Sequence, residues 1–440
     1  MQPARLGRLA VLDAHAFFVL EKFRDGNTPS EVAEATFIES LTAIEQFAAL
    51  LYNSGFLQDT QLSATNNRKQ EETLAVWLHV TNACNLRCNY CYISKTNEIM
   101  ADDTARKSVD AIFRSALKQG FKHIMLKYAG GEASLQAESI FAIHDYAIDQ
   151  ARFHNIELDA HLLSNGVFLS QRMIEQLKKR KIAVSISLDG IGAAHDSQRS
   201  FSNGKGSFKF VDRTITRLLA NEVTPHILVT VSQHNLAGLS DLMAYILQYN
   251  LSFSLSYYRD NECSPSSNNL QFSDAQMITT MQNVFAFIEQ RLPRQSLLNS
   301  LIDKADLTHS HQQTCGVGRN YLVIDQHGGV AKCQADIKHT ITTIDEDDPL
   351  QILKTDLTGI QNLPVEQKQG CQQCNWRNWC AGGCPLLTYR ITGRYDIKSP
   401  NCNIYQALIP EALRLEALRL LAYEEPFIIH EVTEEHSLVL

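Results

Sequence analysis

The placement of the cysteines constrains this chain more than any other feature of its sequence. There are 11 cysteines among 440 residues, and only Cys263 stands apart from two groups. The first group is Cys84, Cys88 and Cys91, and the second is Cys315, Cys333, Cys371, Cys374, Cys380, Cys384 and Cys402. In a reducing compartment, closely spaced cysteines are more typical of metal sites than of disulfides. We therefore predict that the ten grouped cysteines are metal ligands.

Charge and hydropathy exclude two classes of partner. The chain has 40 basic and 48 acidic residues, for a net charge of −8, whereas a general nucleic-acid binder needs a basic face. No run of 18 apolar residues is present, so we expect no membrane-spanning helix and no membrane partner. Asp13 and Glu21 interrupt the first apolar stretch, which argues against a signal peptide. These features predict a cytoplasmic protein.

Residues 73–305 alternate between apolar, strand-like segments and amphipathic, helix-like segments. The predicted strands are 74–81, 123–129, 156–164, 182–188, 224–232 and 251–257, and the helices between them include 102–118, 136–151, 169–179, 209–220 and 237–249. Such alternation predicts an α/β fold with a parallel sheet. Six units are fewer than the eight of a closed barrel, so we predict an open, partial (β/α)6 barrel.

The first cysteine group follows the first predicted strand with the spacing C-x3-C-x2-C, and the aromatic residue Tyr90 precedes its third cysteine. Three thiolates on one loop can hold three irons of a [4Fe–4S] cluster, which leaves the fourth iron open to a substrate or cofactor. A structural zinc site needs four ligands. A zinc knuckle would therefore have to borrow a distant histidine.

Further motifs follow the next three predicted strands. They are Gly130-Gly131-Glu132, Ser164-Asn165-Gly166 and Ser187-Leu188-Asp189-Gly190, with Arg199 a little later. Parallel barrels build their active sites at these strand ends. Glycines allow a close backbone approach, a glutamate can accept hydrogen bonds from an ammonium group, and an arginine can hold a carboxylate at two points.

Together with the first cysteine group, these motifs resemble the radical S-adenosylmethionine (radical SAM) superfamily. The resemblance implies a SAM site contacted by Tyr90, Gly130, Gly131, Glu132, Ser187, Asp189 and Arg199. It further implies that the reduced cluster donates an electron to SAM, and that the resulting 5′-deoxyadenosyl radical takes a hydrogen atom from a substrate. Flavodoxin or ferredoxin is the implied electron donor. Ala133 departs from the family pattern, in which proline is common.

The second cysteine group resembles the SPASM extension of radical SAM enzymes. By the family pairing, Cys371, Cys374, Cys380 and Cys402 ligate one auxiliary [4Fe–4S] cluster, while Cys315, Cys333 and Cys384 hold another, which makes three clusters in all. Tyr321 stands where some relatives carry a further cysteine. The second auxiliary set therefore has an open iron, a non-cysteine ligand or a substrate thiolate. A pair of zinc ribbons is the alternative, although C-x5-C and C-x3-C do not fit a simple zinc knuckle.

Residues 1–58 form a predicted helical module that resembles winged-helix domains that bind leader peptides. Thr28-Pro29-Ser30-Glu31 and Thr36-Phe37-Ile38-Glu39 have the pattern of capping boxes, and Phe56-Leu57 could begin a strand. Residues 1–66 contain four basic and eight acidic residues, which makes DNA binding unfavourable. A helical cap without any ligand is the other interpretation.

The combined reading is a peptide-modifying radical SAM enzyme. Its substrate would be a ribosomally made precursor peptide with a leader segment, and the product a cross-link, an epimer or an excised backbone. Cys263 and Tyr321 are the candidate catalytic residues. The expected domains are the module (1–58), a linker (59–72), the barrel (73–305), the SPASM domain (306–408) and a helix with a tail (409–440).

Two alternatives belong to other functional classes. One is an anaerobic sulfatase-maturating enzyme, which forms formylglycine. In that family an aspartate directly follows the second SPASM cysteine, whereas here Gln334 follows Cys333 and Asp336 comes two positions later. The other is an iron–sulfur redox-sensing regulator or binding protein, against which the intact SAM motifs argue.

Overall fold

The N-terminal helical module is the first part of the chain in the computed structural model, which describes residues 10–36, 40–57, 72–264, 269–423, 428–430 and 437–439. Its helices are α1 (Ala14–Lys22), α2 (Pro29–Thr36) and α3 (Leu41–Asn53). Asp13 caps α1 by accepting a hydrogen bond from the backbone of Ala16, and the Thr28–Glu31 capping box forms. Val19, Val32, Ile44, Phe47 and Leu51 form a small core between the helices.

Two local predictions for this module are wrong. Thr36 ends α2 instead of starting a helix, and Ser40 caps α3. No strand forms at residues 56–57, because their amides bond back to the carbonyl of Leu51. Part of the second predicted capping box (37–39) and all but the last residue of the predicted linker lie outside the described residues. A strand pair does lie beside this module, but it comes from the far end of the chain. In that pair β10 (Ile428–His430) runs antiparallel to β11 (Ser437–Val439), with β10 beside α3 and β11 beside α1.

Six parallel strands and the helices between them form the predicted α/β barrel. The strands are β1 (Thr73–Thr81), β2 (His123–Gly130), β3 (Glu157–Ser164), β4 (Ile182–Ser187), β5 (His226–Val231) and β6 (Phe253–Tyr257). The helices are α4 (Asp102–Gln119), α5 (Ala137–His154), α6 (Gln171–Lys179), α7 (Ala193–Asp196), α8 (Phe208–Ala220), α9 (Leu239–Gln248) and α10 (Asp274–Glu289). Every predicted strand and helix of the barrel is present within about three residues of its predicted bounds, whereas the helix predicted to begin at residue 409 begins at Cys402. The partial barrel is therefore confirmed.

The sheet is open on one side and extended on the other. Its strand order is β6-β5-β4-β3-β2-β1-β7-β8-β9, in which β7 (Tyr321–Ile324) pairs parallel to β1. The antiparallel strands β8 (Gly329–Ala331) and β9 (Thr340–Thr343) complete the order. Because β6 does not pair with β9, the sheet does not close into a cylinder. The cysteine-rich region therefore continues the barrel sheet.

The remaining C-terminal helices connect the cysteine-rich loops. They are α11 (Pro349–Thr355), α12 (Arg377–Cys380), α13 (Pro385–Thr392) and α14 (Cys402–Tyr423). Helix α14 packs along α10 of the barrel. Two grouped cysteines, Cys380 and Cys402, lie at helix ends. Within the described ranges, no helix has the length and apolarity needed to cross a bilayer.

Candidate active site

The loop after β1 is held by the glycine motif after β2. The amide of Gly131 donates to the carbonyl of Thr81 at 2.7 Å, and the amide of Glu132 donates to that of Ala83 at 2.8 Å. A Cβ atom on Gly130 would lie 2.5 Å from the Thr81 oxygen, and one on Gly131 would lie 2.5 Å from the Ala83 oxygen. In this structure the two glycines therefore allow the motif to pack against the backbone that leads into Cys84.

The three thiols of the first cysteine group interact with one another. Burial raises the pKa of Cys88 to about 11, and the neighbouring thiols of Cys91 and Cys84 add to the shift, while Arg199 opposes it. The ammonium group of Lys95 donates to Cys91 Sγ at 2.9 Å, and the Leu86 amide donates to Cys84 Sγ at 3.4 Å. Three neighbouring thiols, two of which accept a hydrogen bond at sulfur, fit the ligand set of an iron–sulfur cluster.

Glu132 is a buried carboxylate that joins the motifs after β2 and β3. Its Oε2 accepts from the amide of Asn165 at 2.6 Å, and its Oε1 accepts from the Ser164 hydroxyl at 2.8 Å and the Ser134 amide at 3.1 Å. The side-chain amide of Asn165 in turn donates to Asn85, inside the first cysteine loop. The two motifs and the cysteine loop therefore form one hydrogen-bonded unit.

Three residues predicted to contact SAM form a second buried unit. The Tyr90 hydroxyl donates to Asp189 Oδ2 at 2.6 Å, Arg199 donates to the Tyr90 oxygen, and Arg199 lies 3.7 Å from Asp189. Burial opposes the charge of Arg199, but Cys88, Tyr90 and Asp189 raise its pKa well above the usual value. Its Nε is buried without a hydrogen-bond partner among the described residues. A free buried donor of this kind suits an anionic group such as a carboxylate.

Asp189 is fixed from a second side by residues that sequence reasoning missed. The amide of Thr230 donates to Asp189 Oδ1 at 2.8 Å, and the side chain of Asn235 donates to the Asp189 carbonyl at 2.6 Å. His195 accepts from the Asp189 amide at 3.2 Å. No local motif signals these partners, because they lie up to 46 residues away in the chain. Lys95, by contrast, lies only four residues after Cys91, so its place in the sequence is a local signal for its contact with the Cys91 sulfur.

Cys315, Cys333 and Cys384 also form a group of interacting thiols. Burial raises the pKa of Cys333 to about 12, and Cys384 and Cys315 add to the shift. Cys384 behaves differently, because the nearby cations of Arg259 and Lys304 outweigh its burial and lower its pKa. Arg259 is itself buried and paired with Asp303. This group therefore lies in a cationic environment.

Cys371, Cys374, Cys380 and Cys402 form the third group. Burial raises the pKa of Cys371 to about 11, with contributions from Cys402 and Cys374, and the pKa of Cys380 to about 12, with contributions from all three partners. This group reaches the surface, where a cavity of about 630 Å³ is lined by Cys374, Trp376 and Gln406 among others. The family pairing groups the cysteines in the same way.

The two candidate catalytic residues lie in different surroundings. The hydroxyl of Tyr321 donates to the side chain of Gln334 at 2.8 Å, and burial beside Cys333 and Tyr92 raises the pKa of Tyr321 well above its usual value. Cys263 is half-buried, with its Sγ 3.4 Å from both Lys338 Nζ and Ser94 Oγ.

Ser187, which is predicted to contact SAM, is the last residue of β4 and is half-buried at the same end of the sheet as the other predicted SAM contacts.

All ten grouped cysteines are free thiols. Across the described part of the chain, no three histidine, cysteine or acidic side chains converge closely enough to hold a single metal ion. An iron–sulfur cube holds its ligands farther apart, because each thiolate binds a different iron.

Comparison with known families gives a match to the part of the chain that carries the first cysteine group. Residues 78–246 match the family model of the radical SAM superfamily. This segment is a radical SAM domain, and the family implies SAM and a [4Fe–4S] cluster as cofactors.

Individual curated proteins are similar to parts of this chain at 29% identity or less. An uncharacterized protein of Methanocaldococcus jannaschii is 29% identical over 40% of this chain, which spans 61% of that protein. The cysteine-type anaerobic sulfatase-maturating enzyme of Clostridium novyi is 22% identical over 68% of this chain and 84% of its own length.

Solved structures show the same fold. Native anSMEcpe with bound AdoMet and Cp18Cys peptide superposes with a TM-score of 0.64 at 20% identity, covering 80% of this chain and 99% of its own. Streptococcus suis SuiB bound to precursor peptide SuiA gives a TM-score of 0.52 at 16% identity, covering 86% of this chain and 81% of its own. The likeness to a sulfatase-maturating enzyme and to a precursor-peptide enzyme establishes the fold of this chain.

Proposed function

We propose that this chain modifies a peptide by hydrogen-atom abstraction, with Cys84, Cys88 and Cys91 as the ligands of its SAM-binding cluster. The proposal rests on the hydrogen bonds that connect the loop of these three cysteines to the Glu132 motif, through Asn165, and to Arg199, through Tyr90, at one end of the sheet. When bound, the cluster and SAM supply a 5′-deoxyadenosyl radical that removes a hydrogen atom from an unactivated C–H bond.

The residues around the site have roles that follow from their contacts. Arg199 offers its free Nε to a carboxylate, and Asp189 fixes the guanidinium and the Tyr90 hydroxyl. Glu132 holds the motifs after β2 and β3 together and keeps lone pairs for an ammonium donor. These three residues would bind the two charged ends of the methionine part of SAM.

The other cysteines would hold two auxiliary clusters. Cys315, Cys333 and Cys384 would bind one cluster through three irons, and the four cysteines of the third group would bind the other. The third group lies beside the surface cavity at Cys374, where a protein electron donor such as flavodoxin or ferredoxin could approach.

The substrate is proposed to be a peptide because this chain shares its fold with anSMEcpe and SuiB, whose structures contain bound peptides. We propose a precursor peptide in preference to a sulfatase. The residue after Cys333 is Gln334, and its oxygen accepts from Tyr321 and cannot act as a carboxylate base. Asp336, two positions later, is paired with His339.

The first experiment is to purify the chain without oxygen, reconstitute it and count iron and sulfide. About twelve irons per chain, falling to about eight when Cys84, Cys88 and Cys91 are changed to alanine, would support three clusters. The same variant should lose formation of 5′-deoxyadenosine from SAM. Four or fewer irons together with bound zinc would remove the auxiliary clusters from the proposal.

Sulfatase maturation is the second candidate, and the likeness to the Clostridium novyi enzyme favours it. The test is to incubate the reconstituted enzyme, SAM and a reductant with an 18-residue sulfatase peptide that contains the target cysteine. An aldehyde trapped by a hydrazine reagent would establish this function. Cleavage of SAM without any aldehyde would leave the precursor-peptide proposal in place.

A further inference from the structure

The inner face of β1 carries two buried polar atoms that have no hydrogen-bond partner among the described residues. They are Trp77 Nε1 and His79 Nδ1. Side chains alternate between the two faces of a strand, so residues two positions apart share a face. The other face of β1 carries Leu78 and Val80, which belong to the hydrophobic core that the barrel helices cover. Trp77 and His79 therefore face the interior of the barrel.

The hydrogen bonds around His79 determine which of its ring nitrogens carries the proton. The side-chain nitrogen of Asn82 donates to Glu98 Oε2 at 2.8 Å, because an ionised carboxylate can only accept. The Asn82 oxygen therefore faces His79, and His79 Nε2 donates to it at 2.8 Å. Burial lowers the pKa of His79, so the ring stays neutral and Nδ1 has no proton. His79 thus presents a bare acceptor to the barrel interior.

The carboxylate that fixes this tautomer is held from two parts of the chain. Glu98 Oε2 also accepts from the Thr96 hydroxyl at 2.7 Å and from the side-chain amide of Gln326 at 3.2 Å. Thr96 lies on the loop after the first cysteine group, and Gln326 lies two residues after β7. His79 is only 1% exposed, and turning its ring would break the bond to Asn82. The ring is therefore held in one orientation, with Nδ1 left for a ligand.

The two atoms have opposite hydrogen-bonding character. The Nε1–H group of Trp77 can only donate, and the bare Nδ1 of His79 can only accept. A buried polar atom without a partner is unfavourable, so this face is complementary to a group with one acceptor and one donor. The Cα atoms of the two residues are about 6.6 Å apart along the strand, and one amide with hydrogen bonds of about 2.9 Å at its oxygen and its nitrogen fits this spacing. A carboxylate or an ammonium group would satisfy only one of the two atoms.

The two residues lie between the proposed SAM site and the Cys315–Cys333–Cys384 group. His79 pairs with Ala129 of β2, which directly precedes the glycine motif. On the other side of β1, Trp77 pairs with Val323 of β7. Strand β7 also carries Tyr321, which belongs to the same hydrophobic cluster as the three cysteines of that group. A substrate residue placed between the two cofactor sites would therefore contact the inner face of β1.

We propose that Trp77 and His79 bind a neutral amide group of the substrate peptide, with Trp77 Nε1 donating to the amide oxygen and the amide nitrogen donating to His79 Nδ1. The inference rests on the proposed function and specifies how that function selects its substrate. The amide is either a backbone peptide group or the carboxamide of an asparagine or glutamine, which present the same two atoms. Trp77 and His79 are positioning residues, and neither takes part in bond making or breaking.

The test uses the full chain, reconstituted without oxygen and saturated with SAM. The probes are capped pentapeptides of sequence Gly-Ala-X-Ala-Gly, in which X is asparagine, aspartate or leucine, and isothermal titration measures their binding. If the amide is a side-chain carboxamide, the asparagine probe should bind about tenfold more tightly than the other two. If it is a backbone amide, all three should bind equally, and N-methylation of the central amide should weaken the leucine probe about fivefold or more.

Substitutions at the two residues separate recognition from folding. His79→Gln keeps an amide nitrogen near the position of Nε2, and so a donor to Asn82, but removes the Nδ1 acceptor. His79→Asn keeps an oxygen near the position of Nδ1. We expect His79→Gln and Trp77→Phe each to weaken the tightest probe about fivefold, and His79→Asn to restore part of the affinity. The matched control is His226→Gln, because both ring nitrogens of His226 already bond to serines at 2.9 Å, and it should bind the probes like the wild type.

Four results would overturn the proposal. They are unchanged probe binding in both His79→Gln and Trp77→Phe, tighter binding of the aspartate probe, weaker binding of SAM instead of the peptide in His79→Gln, and no saturable binding of any probe to the wild type. Circular dichroism and iron content establish that the variants are folded and loaded. Failure of the proposed function is recognised separately, because the wild-type enzyme would then form no 5′-deoxyadenosine from SAM under reducing conditions, whatever the probes do.

Discussion

Gly131→Ala tests the idea that a backbone contact positions the first cysteine loop. A Cβ atom at this position would lie 2.5 Å from the oxygen of Ala83 and 2.6 Å from that of Asn82. Both are backbone atoms that cannot rotate away, so the two segments must separate by about half an ångström to relieve the contact. Gly131 is not in the left-handed region, and the cost is therefore steric alone.

The expected destabilisation is about 1–3 kcal/mol, the usual cost of overpacking at a tightly packed position. At about 2–4 °C per kcal/mol, the thermal midpoint should fall by roughly 2–12 °C. The separation also weakens the bonds from Gly131 and Glu132 to the backbone next to Cys84. We therefore expect reconstituted iron to fall by about four per chain, as for loss of one [4Fe–4S] cluster.

The assay is iron and sulfide analysis with differential scanning calorimetry under anaerobic conditions. Gly204→Ala is the matched control, because its Cβ would meet no atom within 4 Å although its φ is +77°. It should lose about 1 kcal/mol from the left-handed backbone and keep all its iron. Full iron content and an unchanged midpoint in Gly131→Ala would refute the positioning role.

Three further perturbations follow from the contacts of single side chains. Lys95→Met removes a charged donor from Cys91 Sγ, so the potential of the SAM-binding cluster should fall by on the order of 50 mV in an electron paramagnetic resonance titration; an unchanged potential would contradict the contact. Asp356→Asn leaves the buried ammonium of Lys332 without its counter-ion, and chemical denaturation should show a loss of about 3–5 kcal/mol, against under 1 kcal/mol for removing the surface partner Glu289. Burial lowers the pKa of His195 to about 3, so only the unfolded chain takes up this proton below about pH 6.5. The contribution of His195 to the free energy of unfolding is complete above that pH and should fall by about 1.4 kcal/mol for each pH unit below it. Thermal scans between pH 7.5 and 5.5 should show that His195→Gln removes this pH dependence. The control His15→Gln, at an exposed position, should leave the pH dependence unchanged.

The strands and helices of the barrel could be predicted from sequence because they depend on local patterns. Apolar residues recur with strand or helix spacing over 5 to 18 residues, and glycines such as Gly120 end the helices. The wrong predictions lie where more than one nearby residue satisfies the same local rule. The sequence around Thr36 satisfies a capping rule, but Ser40 provides the cap that α3 uses, four residues later.

The contacts inside the candidate site could not be predicted from sequence. The Tyr90 hydroxyl donates a hydrogen bond to Asp189, 99 residues away in the chain, and Asn235 donates to the same aspartate from the end of a different strand. Spacing rules describe neighbours on one loop, whereas these pairs depend on how far the barrel curves. The strand pair β10–β11 illustrates the same limit, because it lies beside helices of the N-terminal module from the other end of the chain.

The sequence by itself determined the class of protein, since C-x3-C-x2-C after a strand and glycine-rich strand ends are local features whose chemistry needs little context. The tertiary structure alone decided which charges meet. Arg259 and Asp303 are 44 positions apart, yet their side chains form a largely buried ion pair. The physical reason is that electrostatic complementarity depends on distance and burial, and neither can be read along the chain.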